Sequence, residues 1–288
     1  MSDFELGCVV PGNSSHIGLR RYQQDAFGLS DFADTTFTPH GGYLAVVADG
    51  IGGLLHGREA AQLAVSAFLQ QYAAKPAEQS ISQALDEALS AANQAVCRVA
   101  EQKHCLAWMG TTVVAAAVWN NRLYWRSVGD SHLYLCRDRR LGLLTIDHHF
   151  ARTLQKQADA GIISQREAEF HPERYSLESF LGLEPLPLVD TGSTGLPLLP
   201  GDCVLLCTDG IDGVLTSDEI IACLGAEPMR AAQALCDAAL AKGNPNQDNL
   251  TAVVLGLTDA SQPAVRSGVT ERARITRAVQ FFRQFVRG

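Results

Sequence analysis

Two apolar runs, Tyr43 to Ala48 and Cys203 to Cys207, give way almost at once to an Asp-Gly pair, Asp49-Gly50 and Asp209-Gly210. Short apolar runs bounded by turn residues read as buried strands, so each would deliver a carboxylate to a strand end. A carboxylate there either caps the next turn or faces a cation that makes its burial tolerable. A single Asp-Gly is most simply a turn. Here the pattern recurs: Asp248 directly precedes the apolar run Leu250 to Leu257, Asp130 stands between runs ending at Val128 and beginning at His132, and Asp25 closes the early segment from Arg20. Carboxylates at so many strand ends, with no His or Cys spaced beside them as ligands, suit hard cations such as Mg²⁺ or Mn²⁺ rather than zinc.

The intervening sequence predicts strands over Thr112–Val118, Arg122–Val128 and His132–Arg137. Asn120-Asn121, a pair that tolerates positive φ, makes the first two a hairpin. Helical spacing covers residues 58–74, 80–103, 149–160, 164–170, 216–224 and 228–242, with capping boxes at Ser80-x-x-Gln83 and Ser164-x-x-Glu167. Paired helices and antiparallel strands favour an α+β fold of stacked layers over repeated βαβ units.

A net charge of −8 gives the chain no broad attraction to nucleic acid. Its eight cysteines are scattered through apolar segments without a C-x-x-C pair, as in a protein whose thiols stay reduced. Neither a signal peptide nor an uninterrupted apolar run of membrane-spanning length is evident. A cytoplasmic protein without a membrane span is the expectation. The end differs: Ala264 to Gly288 carries six Arg against one Glu, and Ile275, Ala278, Val279, Phe282, Phe285 and Val286 can share a helical face. We therefore divide the chain into a main domain over 1–262 and a basic amphipathic tail over 263–288. The tail either packs on its own acidic body or binds a partner or a membrane surface.

Taken in order, Arg20 to Asp25, Asp49-Gly50-Ile51-Gly52-Gly53, Gly110-Thr111-Thr112, Val128-Gly129-Asp130-Ser131, Thr145-Ile146-Asp147-His148, Thr208-Asp209-Gly210 and Gln247 to Thr251 resemble the bacterial metal-dependent protein phosphatases, also called the PPM or protein phosphatase 2C family. The resemblance runs from about residue 7 to 257. It implies a four-layer αββα sandwich, two antiparallel sheets flanked by helix pairs, with a metal site at one edge. It also implies a serine/threonine phosphoprotein phosphatase that opposes a protein kinase and hydrolyses phosphomonoesters by in-line attack of a metal-bridging hydroxide. On that pattern Asp49 bridges two Mn²⁺ or Mg²⁺ ions, the Gly50 carbonyl joins one, and Asp209 and Asp248 complete the other. Asp25 lies close by, Asp130 pairs with Asp209 at a third and weaker metal position, and Arg20 grips the substrate phosphate.

The chain departs from the family where Gln23-Gln24 replaces the usual Asn-Glu or Asn-Gln, and where Ile51 stands at a position at which some relatives carry His; His56 reads as a loop residue. The segment from Gly161 to Gly182 corresponds to the flap of similar bacterial enzymes, with His171, Arg174 and Tyr175 as candidate substrate contacts. Two other readings keep the same residues: a catalytically weak relative that only binds phosphoproteins, and a hydrolase of small phosphoesters.

Overall fold

The computed structural model describes residues 8–51, 56–106 and 108–258. Gly52 and Gly53 of the first Asp-Gly turn and the basic tail lie outside the described residues. The chain runs through β1 (Cys8–His16), β2 (Asp25–Leu29), a short α1 (Thr38–Gly41), β3 (Tyr43–Asp49), α2 (Gly57–Ala73), α3 (Ile81–Gln102), β4 (Val113–Trp119), β5 (Arg122–Val128), β6 (His132–Arg137) and β7 (Arg140–Leu143). It continues through α4 (Ala151–Asp159), α5 (Gln165–Glu169), β8 (Asp190–Thr191), β9 (Leu196–Pro197), β10 (Cys203–Cys207), the one-turn α6 (Asp209–Asp212), α7 (Ser217–Leu224), α8 (Pro228–Ala241) and β11 (Leu250–Thr258).

Two antiparallel sheets result, ordered β1-β11-β10-β6-β7 and β2-β3-β4-β5-β8, with β9 also pairing β5. The central strands β3, β4, β10 and β11 are apolar on both faces because both faces are covered. On β3, Ala45 and Val47 meet Val204 and Leu206 of β10 and Val253 and Leu255 of β11 between the sheets. Leu44, Val46 and Ala48 turn the other way, against Ala61, Val65, Phe68, Leu85 and Ala92 of α2 and α3. Beyond the first sheet, Leu205, Ala252 and Val254 pack on Ile220, Leu235 and Ala239 of α7 and α8. The small side chains facing α2 and α3 let that helix pair lie close to its sheet. Arg126 of β5, 1% exposed, locks it there through Asp86 (2.6 and 2.9 Å) and Ser82 of α3.

The expected four layers are therefore present, and the helix starts carry the expected capping boxes at Ser80 and Ser164. Asn120 and Asn121 both take positive φ in the β4–β5 turn. One long strand is not anticipated by the apolar pattern. Strand β1 contains Pro11-Gly12-Asn13-Ser14-Ser15 yet pairs with β11 along its whole length. It is an edge strand, where Pro and polar residues are tolerated, and a Cβ on Gly12 would lie 2.1 Å from the Pro228 carbonyl of α8.

Candidate active site

The register of β2 against β3 sets Asp25 directly across from Asp49, at the end of the sheet where β3 stops and β2 begins. Asp49 is held by backbone as well as by pairing. Its N–H donates to Thr112 Oγ1 at 3.0 Å, and its carbonyl accepts from the Thr112 N–H at 2.9 Å and from Thr111 Oγ1 at 2.7 Å. Thr112 Oγ1 also lies 2.7 Å from Ser131 Oγ, which ties in the Gly129-Asp130 turn. Gly129 takes φ +105°, and a Cβ there would come within 2.6 Å of the Thr112 side chain.

The other sheet brings its carboxylates to the same edge. Strand β10 ends just before Asp209, the first residue of α6, and Asp248 directly precedes the Asn249 that leads into β11. Thr208 crosses between the sheets: its hydroxyl donates to Asp25 Oδ2 at 3.0 Å and accepts from the Thr251 N–H at 3.1 Å. Asn249 moors the loop that carries Arg20. Its Oδ1 accepts from the Gln24 N–H at 2.7 Å, while Nδ2 donates to the carbonyls of Ile17 (2.8 Å) and Tyr22 (3.1 Å). The Arg20 guanidinium reaches Asp248 Oδ2 at 2.6 Å, whereas Arg21 lies over the Tyr22 ring at 5.2 Å. The glycines here are contact glycines. A Cβ on Gly210 would sit 1.9 Å from the Asn249 carbonyl oxygen, and one on Gly50 would sit 2.3 Å from that of Gly57.

Five carboxylates thus converge, and their electrostatics record it. Burial, then Asp25, Asp209, Asp130 and Asp248, push the Asp49 carboxyl well above the usual range. Burial lifts Asp25 to about 6, with the hydroxyls of Thr251 and Thr208 pulling it down and Asp248 adding to the rise. Asp209 rises to about 7 through burial and then Asp130, Asp248, Asp212 and Asp25. Asp209 is exposed at the surface, and four neighbouring carboxylates, Asp130 foremost, push its carboxyl up. Asp25 Oδ1 is buried without a hydrogen-bond partner. Among the described residues no three His, Cys, Asp or Glu side chains gather tightly enough to hold an ion alone. An open, oxygen-only ring of mutually repelling carboxylates with an unsatisfied buried acceptor fits divalent ions that keep several waters, as Mg²⁺ does, and take backbone carbonyls as ligands.

Beside this ring runs a second polar chain that the sequence did not reveal. His149 Nε2 meets Asp130 Oδ2 at 2.9 Å, and its Nδ1 lies 3.7 Å from Asp147 Oδ2. Asp147 Oδ1 meets His132 Nε2 at 2.8 Å, and His132 Nδ1 pairs with Asp212. Burial draws the His132 pKa down, but the bonds to Asp147 and Asp212 outweigh it and lift the group to about 10. These partners come from β6, α6 and the loop before α4, so no local spacing joins them.

The flap candidates serve the flap. Arg174 Nη1 donates to the Glu169 carbonyl at 2.6 Å and its guanidinium lies over Tyr175, while His171 Nδ1 accepts from the Glu173 N–H at 3.2 Å and its ring meets Phe150 edge-on. Tyr175 is the residue that turns toward the acidic ring, packing edge-on against His149 at 6.0 Å. His56 pairs with Glu59 in the first turn of α2, in a groove shared with Tyr22, Gln24 and Arg58.

The family model for protein phosphatase 2C matches residues 13–242. The serine/threonine protein phosphatase PstP of Mycobacterium tuberculosis is 34% identical over 236 residues, covering 80% of this chain and 44% of the relative. The chain thus spans less than half the length of that relative. The serine/threonine phosphatase stp of Listeria monocytogenes is 31% identical over 243 residues, covering 82% of this chain and 91% of the relative. A crystal structure of the PstP catalytic domain with two manganese ions superposes with a TM-score of 0.66 at 30% identity, covering 87% of this chain and 99% of that one.

Proposed function

Because the chain belongs to the protein phosphatase 2C family, we propose that it is a metal-dependent serine/threonine phosphoprotein phosphatase. The observation that carries this reading is the meeting of Asp25 and Asp49 from one sheet with Asp209 and Asp248 from the other, beside an arginine. Asp49, the Gly50 carbonyl, Asp209 and Asp248 would hold two Mn²⁺ or Mg²⁺ ions with Asp25 beside them, and Asp130 with Asp209 would hold a third. Bound there, the ions supply Lewis acidity and make a water acidic enough to act at neutral pH.

The chain's own groups do the rest. Arg20 spends one Nη2 contact on Asp248 and keeps the remainder of its planar fork for phosphate oxygens, which it can pair two at a time while always charged. Asn249 sets the loop from which Arg20 projects, so the guanidinium is aimed before substrate arrives. Asp25, with acceptor capacity unspent at Oδ1, is suited to orient a proton donor inside the ring. Phosphorylated serine or threonine in cytoplasmic proteins is the substrate class that this reading assigns. From sequence alone, residues 263–288 read as a basic accessory segment that either packs on the acidic body or binds a partner or a membrane surface; among the described residues no helix is long and apolar enough to cross a membrane.

The test uses phosphoserine and phosphothreonine peptides beside a small aryl phosphate, in chelator and with Mn²⁺ or Mg²⁺ returned. Peptide hydrolysis that stops in chelator and resumes with metal is the expected result. Full turnover in metal-free buffer removes the mechanism. Peptide binding without turnover selects the sensor, and turnover of the aryl phosphate alone selects the small-ester hydrolase.

A further inference from the structure

Asp209 and Asp212 share the single turn of α6, a helix whose Thr208 N-cap makes no side-chain capping bond. So short an element gains little rigidity from its own hydrogen bonds. Ile211, fully buried, and Gln247 Nε2, which donates to the Gly210 carbonyl at 3.1 Å, anchor its inner side; its outer end is held by the Asp212 side chain, 5% exposed, whose Oδ2 takes donors from three directions: His132 Nδ1, the Tyr134 hydroxyl at 2.8 Å and Cys207 Sγ at 3.6 Å. The other nitrogen of His132 is committed to Asp147 at 2.8 Å. Asp147 in turn faces His149 at 3.7 Å, and His149 is bonded to Asp130 at 2.9 Å. One imidazole, 15% exposed, thereby links the helix bearing Asp209 to the loop that abuts Asp130.

We propose that His132 is a positioning residue: clamped between Asp212 and Asp147, it fixes α6 against the Asp130 turn and so sets how tightly Asp209 and Asp130 hold a divalent cation. The clamp suits the task because both of its ends are carboxylates and both imidazole nitrogens are used, which fixes the ring in place. Partners of this kind behind ligating carboxylates typically change metal affinity by about 10- to 100-fold. The inference rests on the divalent-cation reading of the site and adds residues to it that touch neither substrate nor ion.

The test is calorimetric titration of the full chain with Mn²⁺, with steady-state kinetics on a phosphopeptide alongside. His132→Ala and Asp212→Asn should weaken Mn²⁺ binding about tenfold or more, with KM for peptide at saturating Mn²⁺ close to the parent's. His132→Arg, which offers donors toward both carboxylates, should recover most of the affinity. Variants that bind Mn²⁺ like the parent overturn the proposal, and so does a loss that His132→Arg leaves uncorrected in a protein that melts like the parent. Should His132→Ala fail to fold, Asp212→Asn and His132→Arg decide. A parent that binds no Mn²⁺ removes the cation reading itself. Binding that Asp49→Asn abolishes and the His132 variants leave intact removes only the positioning role.

Discussion

Replacing Asp25 by Asn probes the electrostatics of the acidic ring without changing its shape. Asp25 is 7% exposed, and burial foremost lifts its carboxyl from 3.8 to about 6. A carboxyl raised that far costs about 3 kcal/mol to keep ionised at neutral pH. Because the folded value lies above the unfolded one, the folded chain holds the proton more tightly. The stability this contributes is fully present below about pH 4 and is lost as pH rises through about 6. Asn retains an acceptor for the Thr208 hydroxyl and can turn its amide donor toward the neighbouring Asp49 carboxylate. In chelator at pH 7.5 the variant should therefore be more stable than the parent, by up to about 3 kcal/mol, or several degrees in Tm for a domain of this size. The advantage should shrink to nothing near pH 4. Saturating Mn²⁺ should reverse the order, because binding stabilises the folded parent more. Differential scanning calorimetry from pH 4 to 8, with and without Mn²⁺, reads all of this. A variant less stable than the parent in chelator at pH 7.5, or a difference that does not vary with pH, would refute the reasoning.

Two further outcomes follow from the geometry. Arg20→Ala should lower kcat/KM by about 10- to 100-fold, the loss expected for a charge-assisted phosphate contact, while Arg21→Ala, whose guanidinium lies over Tyr22, should stay within about twofold; equal kinetics for the two would misplace the clamp. Gly210→Ala drives a methyl to 1.9 Å from the Asn249 carbonyl and should cost about 3 kcal/mol or more, read as a fall in the urea midpoint; an unchanged midpoint would mean that α6 is free to shift.

The layers were legible because burial on both faces leaves a local mark. Tyr43 to Asp49, Val113 to Trp119 and Leu250 to Thr258 are covered on one side by a helix pair and on the other by a sheet, so they read as unbroken apolar runs. Strand β1 left no such mark, since an edge position imposes backbone pairing but little demand for apolar side chains. The convergence of Asp25, Asp49, Asp130, Asp209 and Asp248 was foreshadowed because each stands at a strand end or turn, and strand ends of a two-sheet sandwich collect at its edges.

The sequence by itself determined which apolar runs become doubly covered strands, where helices begin, and that carboxylates stand at the strand ends. Those properties are local: a capping box at Ser80 or a strand ending at Asp49 depends on neighbours a few residues away. Only the tertiary structure decided that Arg20 meets Asp248, that Asn249 moors the Arg20 loop, that Arg174 turns inward to Glu169, and that His132 is gripped by Asp147 and Asp212. Apart from the flap contact, these partners lie far apart along the chain, and polar side chains carry no periodic signature. For Asn249, His132 and Asp212 the pairing is imposed by the cost of burying a charge or donor without a partner, a cost that exists only once the two sheets have closed on each other, whereas Arg20 and Asp248, both partly exposed, meet because Asn249 moors their loops side by side.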